Sequence, residues 1–318
     1  MIPTRGARDL DACLASLRAD ELPGMEVIVV DNDSRDVRGR AGAARVIRNE
    51  ENVGFALACN QGIDAASGEL VLLLNDDTVV EPGALPELVA ALERHAEWGA
   101  CQAKLLLLED PTRLDTAGSF LTASGFLVHR GAYEAETRFT NDDEIFAAKG
   151  AALLIRRGVL DDVGAFDPDY FAYFEESDLC WRIWLAGHRV GFAADARIRH
   201  RLGATATELP SAFVQFHSFK NRICTLLKNL GAARLAWMLP YHLLLCAGLA
   251  AWFLVRGKPA LTGAILRAIA WNATRLPQTL RKRRHVQELR RVSDAKLMPR
   301  VMRRTSLRTL FGYARRTG

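Results

Sequence analysis

The chain has 318 residues, 49% of them hydrophobic and 25% charged, a make-up that suits a globular protein with a full core and excludes a largely disordered one. Its net charge of +5 hides an asymmetry: residues 281–318 carry 13 Lys/Arg against 2 Asp/Glu, so the preceding 280 residues are net acidic. An acidic body with a basic tail whose only stacking groups are Phe311 and Tyr313 argues against a nucleic-acid partner and for an anionic membrane surface.

In chain order, "MIPTRGARDLDA" lacks an apolar signal-peptide core, so no signal peptide is expected. "MEVIVVD" (25–31) is a short β-branched run ending in polar residues, as a buried parallel strand does, and "ARVIRN" (44–49) is a second such run. "NVGFALACNQGIDAASG" (52–68) places Phe55, Ala58, Cys59, Gly62 and Ile63 at helical spacing and stops at Gly68. "ELVLLL" (69–74) is the next strand, followed by Asn75, Asp76 and Asp77 and then a helix from about Pro82 to His95. This alternation predicts an α/β fold with a doubly wound, mostly parallel sheet. Ligands of such sheets sit beyond the carboxyl ends of the strands, where Asp31 and Asn75–Asp77 fall.

Residues 106–148 lose the rhythm and read as a turn-rich loop or hairpin excursion near the site. Order resumes over 150–205 with a strand, a turn, a helix over 174–186 and strand material reaching His200. From Leu209 long helices dominate, and "LAWMLPYHLLLCAGLAAWFLV" (235–255) is 21 residues without a formal charge, interrupted by Pro240 and His242. The cysteines at 13, 59, 101, 180, 224 and 246 form no C-x-x-C pair, as reduced, buried thiols of a cytosolic protein would.

Three groups of residues carry chemistry. Asp76 and Asp77 close an apolar strand; adjacent carboxylates there either face water or hold a hard cation such as Mn²⁺ or Mg²⁺, which takes oxygen ligands together with substrate phosphates. Glu175, Glu176 and Asp178 open a helix, where the dipole favours acids, and Asp178 with Arg182 is an ordinary i,i+4 pair. Their aromatic flanks, Phe171, Tyr173, Phe174, Trp181 and Trp184, would desolvate a carboxylate and make it a better base near neutral pH. His200 is isolated, either a satisfied histidine or a late ligand for Mn²⁺.

Together Ile2-Pro3-Thr4-Arg5, "VIVVDNDSRD" (27–36), "NVGFALACNQGI" (52–63), "LLLNDDT" (72–78) and "GAFDPDYFAYFEESDLCWR" (164–182), followed by His200, resemble glycosyltransferase family 2 over about residues 2–205. The nearest flavour is the bacterial rhamnosyltransferase-like group that builds cell-surface polysaccharide. The resemblance implies a GT-A fold and an inverting sugar transfer from a UDP- or dTDP-sugar, assisted by Mn²⁺ or Mg²⁺. It places Thr4, Arg5, Asp31 and Asn32 around the nucleotide base and ribose, and Asn75, Asp76 and Asp77 in the metal motif, with Asp77 as ligand. Glu176 falls at the position of the catalytic base with Glu175 and Asp178 as neighbours, and His200 at a histidine that completes some metal sites. Two departures stand out: Asn32 and Asn75 occupy positions that are commonly acidic, and only Met1 and Ile2 precede the Pro-Thr, so the first strand is expected to be truncated.

The expected organisation is a catalytic domain over 1–208, a helical, membrane-associating extension over 209–280 and a basic tail over 281–318. Residues 235–255 are just long enough to span a bilayer, and equally suit a buried or in-plane helix. The tail would sit on the anionic cytoplasmic face of the inner membrane, with a glycan or polyprenyl-diphosphate-linked acceptor in reach. Two other classes stay open: a sugar-1-phosphate nucleotidyltransferase, although "IPTRGARDLDA" has only one of the glycines a phosphate loop wants, and an inactive membrane-associated scaffold of the same fold.

Overall fold

The computed structural model describes residues 1–318 apart from 6–8, 35, 36, 38–40, 43, 202–208 and 305–318. Phe311 and Tyr313 of the tail lie outside the described residues. β1 (Ile2–Thr4), α1 (Leu10–Ala19), β2 (Ile28–Asn32), β3 (Arg45–Asn49) and α2 (Phe55–Ala65) make the first part of the fold, with β1-β2-β3 a parallel sheet in that order. β1 is three residues long, yet it is tied in: the terminal amine donates to Leu72 O at 2.7 Å and Leu74 N donates to Met1 O at 3.1 Å. Those bonds join it to β4 (Leu70–Leu74), the edge of a second sheet.

The second sheet is completed by β5 (Thr78–Val80), β6 (Trp98–Leu107), β7 (Leu114–Thr116), β10 (Asp143–Glu144), β11 (Ala152–Arg156) and β12 (Arg189–His200), with α3 (Ala84–Arg94) between β5 and β6. Its main path runs β10-β12-β6-β11-β4, with β5 on β12 and β7 on β6. β12 and β6 are parallel, and the other pairings in this sheet are antiparallel. The α/β architecture is as expected and its sheet is mixed, because β11 returns between two strands that run the other way. The excursion over 106–148 carries β7, the hairpin of β8 (Ser119–Leu121) and β9 (Leu127–His129), a short 3₁₀ turn and β10.

The central strand β6 has no counterpart in the sequence reading. Gln102 and Lys104 interrupt its apolar pattern, and both are buried. They are tolerated because they have partners: Gln102 donates to Thr116 O at 3.1 Å and accepts from the Lys149 backbone at 2.7 Å, while Lys104 meets Glu136 at 3.4 Å.

After β11 come α4 (Arg157–Val163) and α5 (Glu175–Leu185), and after β12, among the described residues, five helices: α6 (Ser211–Asn229), α7 (Ala232–Val255), α8 (Pro259–Thr274), α9 (Leu276–Glu288) and α10 (Asp294–Val301). These helices share a core with the sheet: Leu226, Leu230, Met238, Val286, Leu297 and Val301 sit in the same buried cluster as Phe146, Trp181 and Phe192. The basic 281–304 stretch is partly spent inside the fold: Arg283 donates to Leu227 O and Leu230 O, Arg290 pairs with Asp294, and Arg300 pairs with Glu144.

An ionic cluster ties α6 and α9 to α5. Lys228, 2% exposed, meets Asp167 at 2.6 Å and Asp178 at 3.0 Å; Asp178 also takes Arg182 at 3.1 Å and Asn229 at 3.0 Å. Lys282 of α9 pairs with Asp167 and, at 2.5 Å, with Asp169. Burial disfavours the charge on Asp167, but Lys228 and Lys282 outweigh it and hold that carboxyl well below the usual range. Asp178→Ala would strand buried cations, so a loss of about 3–5 kcal/mol is expected in urea unfolding. An unchanged midpoint would mean the cluster is solvated.

Candidate active site

The acids closing β4 are positioned by the turn into β5. Asn75 N donates to Ala151 O at 3.1 Å, and the Thr78 hydroxyl donates to Asn75 O at 2.7 Å. Thr4, at the end of β1, donates its hydroxyl to Asp76. Burial pushes the Asp76 carboxyl up to about 6; the Thr4 hydrogen bond offsets part of this, and the charges of Asp77 and Asp9 add to it.

His200 arrives by strand pairing: β12 lies antiparallel to β5 with His200 opposite Thr78, which sets the imidazole beside Asp77. Its Nε2 is 3.3 Å from Asp77 Oδ1, and its Nδ1 donates to Asp115 Oδ2 at 2.8 Å. Asp115, on β7, is held in turn by Lys149 Nζ at 2.7 Å. Burial opposes ionisation of Asp115, but Lys149 and His200 pull its carboxyl well below the usual range. Burial opposes protonation of His200 too, yet Asp115 and Asp77 raise its pKa on balance. Asp115 and Lys149 are missing from the sequence reading; the one signal was Lys149, a lone charge inside the apolar run 145–155, which reads as buried and paired.

Glu175 and Glu176 open α5, and the Lys149 charge that holds Asp115 also acts on Glu176. Tyr173 and Phe174, just before them, adopt left-handed backbone angles, φ 70° and 74°, which cost about 1–3 kcal/mol each for such side chains. Buried Asn221 of α6 holds that turn, donating to Ala172 O at 2.8 Å and Tyr173 O at 2.6 Å. Burial raises both Glu carboxyls, Glu175 well above the usual range with the Glu176 charge adding to it; for Glu176 the Gly150 backbone and Lys149 oppose the rise. Glu175 is 5% exposed and Glu176 half-buried, so Glu176 is the one a substrate can reach. Asp178 does not join them, because its carboxylate is committed to Lys228, Arg182 and Asn229.

At the far end, buried Asp31 accepts the Ser34 backbone at 2.8 Å and its hydroxyl at 2.6 Å, with Arg48 3.8 Å away. Asn32 is turned inward: its amide donates to Asn52 Oδ1 at 2.9 Å and its oxygen accepts from Val53 N at 2.9 Å. It therefore braces the 52–54 loop. Gly54 has φ +88°, and a Cβ there would lie 2.5 Å from Phe171 O, so the loop closes against the turn before Glu175 only because this residue is glycine. Arg5 is exposed.

Among the described residues no three His, Cys, Asp or Glu side chains converge on one point. The donor set nonetheless fits a hard divalent ion shared with a phosphate-bearing ligand: Asn75 Oδ1 is buried without a hydrogen-bond partner, Asp77 Oδ1 is buried with only the His200 Nε2 contact at 3.3 Å, and Asp115 orients His200 so that Nε2 faces Asp77. Glu175 Oε2 and Glu176 Oε2 are likewise buried and unpartnered.

A family model described as "Glycosyl transferase family 2" matches residues 1–164. An uncharacterized protein of Sinorhizobium fredii is 28% identical over 224 residues, 64% of this chain and only 24% of its own length. The N-acetylglucosaminyl-diphospho-decaprenol L-rhamnosyltransferase of Mycobacterium tuberculosis is 27% identical over 240 residues, 65% of this chain and 76% of its own. Among solved structures, the mannosyltransferase PcManGT from Pyrobaculum calidifontis, in complex with GDP-Man and Mn²⁺, is similar with a TM-score of 0.54 at 18% identity, covering 86% of this chain and 85% of that one. At that identity the likeness shows a shared GT-A fold.

Proposed function

The chain belongs to glycosyl transferase family 2, and from that membership we propose that it moves a sugar from a nucleotide-diphosphate donor to a hydroxyl of a lipid-linked glycan, inverting the anomeric centre. The observation that carries the reading is one continuous line of polar contacts, buried from Asp77 through His200 to Asp115 and ending on half-buried Lys149, whose charge acts on Glu176. Asp77 and His200 would hold a Mn²⁺ or Mg²⁺ ion with the donor phosphates, and such an ion supplies electrostatic stabilisation of charge gathering on the departing diphosphate. Asp115 keeps Nδ1 of His200 occupied so that Nε2 faces the donor side. Thr4, Arg5 and Asp31 line the end where base and ribose would lie, and Asn32 shapes it through the 52–54 loop.

The Glu176 carboxylate takes the proton of the acceptor hydroxyl as that oxygen attacks from the side opposite the leaving group. Asp167, Asp169 and Asp178 are neutralised by Lys228 and Lys282, and burial with the Glu176 charge favours the neutral form of Glu175, so none of these four is set up as a nucleophile. That favours one displacement, hence inversion.

The relative named for a diphospho-decaprenol acceptor supports a lipid-linked acceptor here. α7 supports the same placement: it is one apolar helix of 24 residues, docked by Met238, His242, Cys246, Ala250 and Phe253, with Trp237, Tyr241, Leu244, Leu254 and Val255 left exposed. A helix fixed to the body along one stripe and apolar on the others suits shallow, in-plane insertion on the cytoplasmic face.

Incubation with Mn²⁺ and a panel of UDP- and dTDP-sugars tests the reading. Slow release of nucleoside diphosphate supports a transferase. Pyrophosphate made from a sugar-1-phosphate and a nucleoside triphosphate would replace it with a nucleotidyltransferase, and silence would leave a scaffold.

A further inference from the structure

α6 contributes three consecutive side chains toward the catalytic turn, and two have evident work. Lys220 donates to Asp169 O at 2.7 Å, and Asn221 holds Ala172 O and Tyr173 O. The third, Arg222, is half-buried, and its Nε and Nη1 atoms are buried and hydrogen-bond to nothing among the described residues. Its guanidinium lies between aromatic rings, 4.3 Å from the centre of Phe126, 5.2 Å from Phe174 and 5.2 Å from Phe219. Burial lowers its pKa to about 10, with the Cys246 sulfur acting the other way, so it stays cationic at neutral pH.

Faces of aromatic rings offset only part of the cost of burying such a charge, and buried N–H donors without acceptors add to it. An arginine kept like this is matched to an anion that arrives. Its position says which one. Phe174 immediately precedes Glu175, so a group on Arg222 lies beside the turn that opens α5 and carries the base. Phe126 packs on His242 of α7 at 5.2 Å, and Tyr241 and Leu244 of the same helix are exposed and apolar. An anion at Arg222 thus has the base on one side and a lipid-facing helix on the other.

We propose that Arg222, walled by Phe126, Phe174 and Phe219, binds the diphosphate of a prenyl-diphosphate-linked acceptor. This rests on the transferase reading above. The guanidinium recognises phosphate oxygens with charge-assisted hydrogen bonds, the sugar attached to that diphosphate reaches Glu176, and the prenyl chain leaves along α7.

The test uses the full chain and phosphatidylcholine vesicles carrying either geranylgeranyl diphosphate or geranylgeraniol, with inorganic pyrophosphate as a soluble probe. The wild type is expected to prefer the diphosphate vesicles by roughly tenfold to a hundredfold. Arg222→Met is expected to lose that preference and to melt at the same or a higher temperature, since it removes a half-buried charge whose Nε and Nη1 have no acceptor among the described residues. Arg222→Gln gives the same reading should the Met variant fail to fold. An intact preference in both variants, or a variant that melts earlier yet still prefers the diphosphate, would overturn the proposal and leave Arg222 a packing residue. Pyrophosphate bound as tightly as the prenyl diphosphate would overturn the lipid assignment. The donor panel stands apart: a preserved preference in a protein that turns over no donor overturns the transferase reading and leaves the diphosphate site.

Discussion

Glu176→Gln is expected to lower turnover by roughly 10²–10⁴-fold while donor binding is retained, because the amide keeps the shape of the side chain but cannot accept the acceptor's proton. Glu175→Gln is expected to keep most of the activity. Burial and the Glu176 charge raise the Glu175 carboxyl well above its ordinary value, which favours its neutral form, and glutamine is a neutral substitute for that form. The two variants should differ in stability as well. A carboxyl whose folded-state pKa lies above its unfolded value costs nothing at low pH. The cost grows as pH rises from the ordinary glutamate range toward the folded pKa, because the unfolded chain gains by ionising first. Glu175→Gln should therefore raise the melting temperature at pH 7 and leave it unchanged near pH 4. For the wild type, the raised pKa of Glu176 places the acidic limb of the rate profile above the usual carboxylate range, with activity rising as pH passes through it. Steady-state kinetics and thermal melts across pH 4–9 measure all of this, using roughly that window. Full activity in Glu176→Gln would remove the base assignment.

Asp77→Ala is the second large effect. It takes away a buried carboxylate oxygen that faces His200 at 3.3 Å and leaves the strand end otherwise intact, so turnover is expected to fall by roughly 10²–10³-fold or more, through weakened metal-dependent donor binding. Asp115→Asn should act in the same direction more mildly, by roughly 10–100-fold in metal affinity, because it frees the imidazole that Asp115 orients. A donor-binding assay over a manganese series separates them: Asp115→Asn is rescued by more metal, Asp77→Ala is not. Equal loss in both, unaffected by metal, would mean that the Asp77–His200 pair is structural.

Much of this architecture was legible from residue pattern. The β-branched runs 25–31 and 44–49, the helix after Asn52 and the strand before Asn75 fall within a few residues of β2, β3, α2 and β4. Each is a short element whose own periodicity reports its burial. The pairing of Asp77 with His200 needed the family resemblance, since more than a hundred residues separate them and only the β5–β12 register brings them together. What stayed hidden depends on tertiary context. β6 carries buried Gln102 and Lys104, which read as exposure until Thr116, Lys149 and Glu136 are seen to satisfy them. Asp115 sits in a turn-rich segment where nothing local separates it from a surface acid. Asp178 shares its helix turn with Glu175 and Glu176, and only the arrival of Lys228 from α6 assigns it to the framework. The same holds for the basic stretch after 280, where Lys282, Arg283, Arg290 and Arg300 are used internally.

Calorimetric titration of UDP and of dTDP into the full chain, with Mn²⁺ and again with a chelator, bears most directly on the idea that the acids closing β4 grip an ion for a departing nucleotide. Binding of one of the two that requires manganese, and that vanishes in Asp77→Ala, is the expected outcome. Nucleotide bound equally well in the chelator, or by neither protein under any condition, would contradict it.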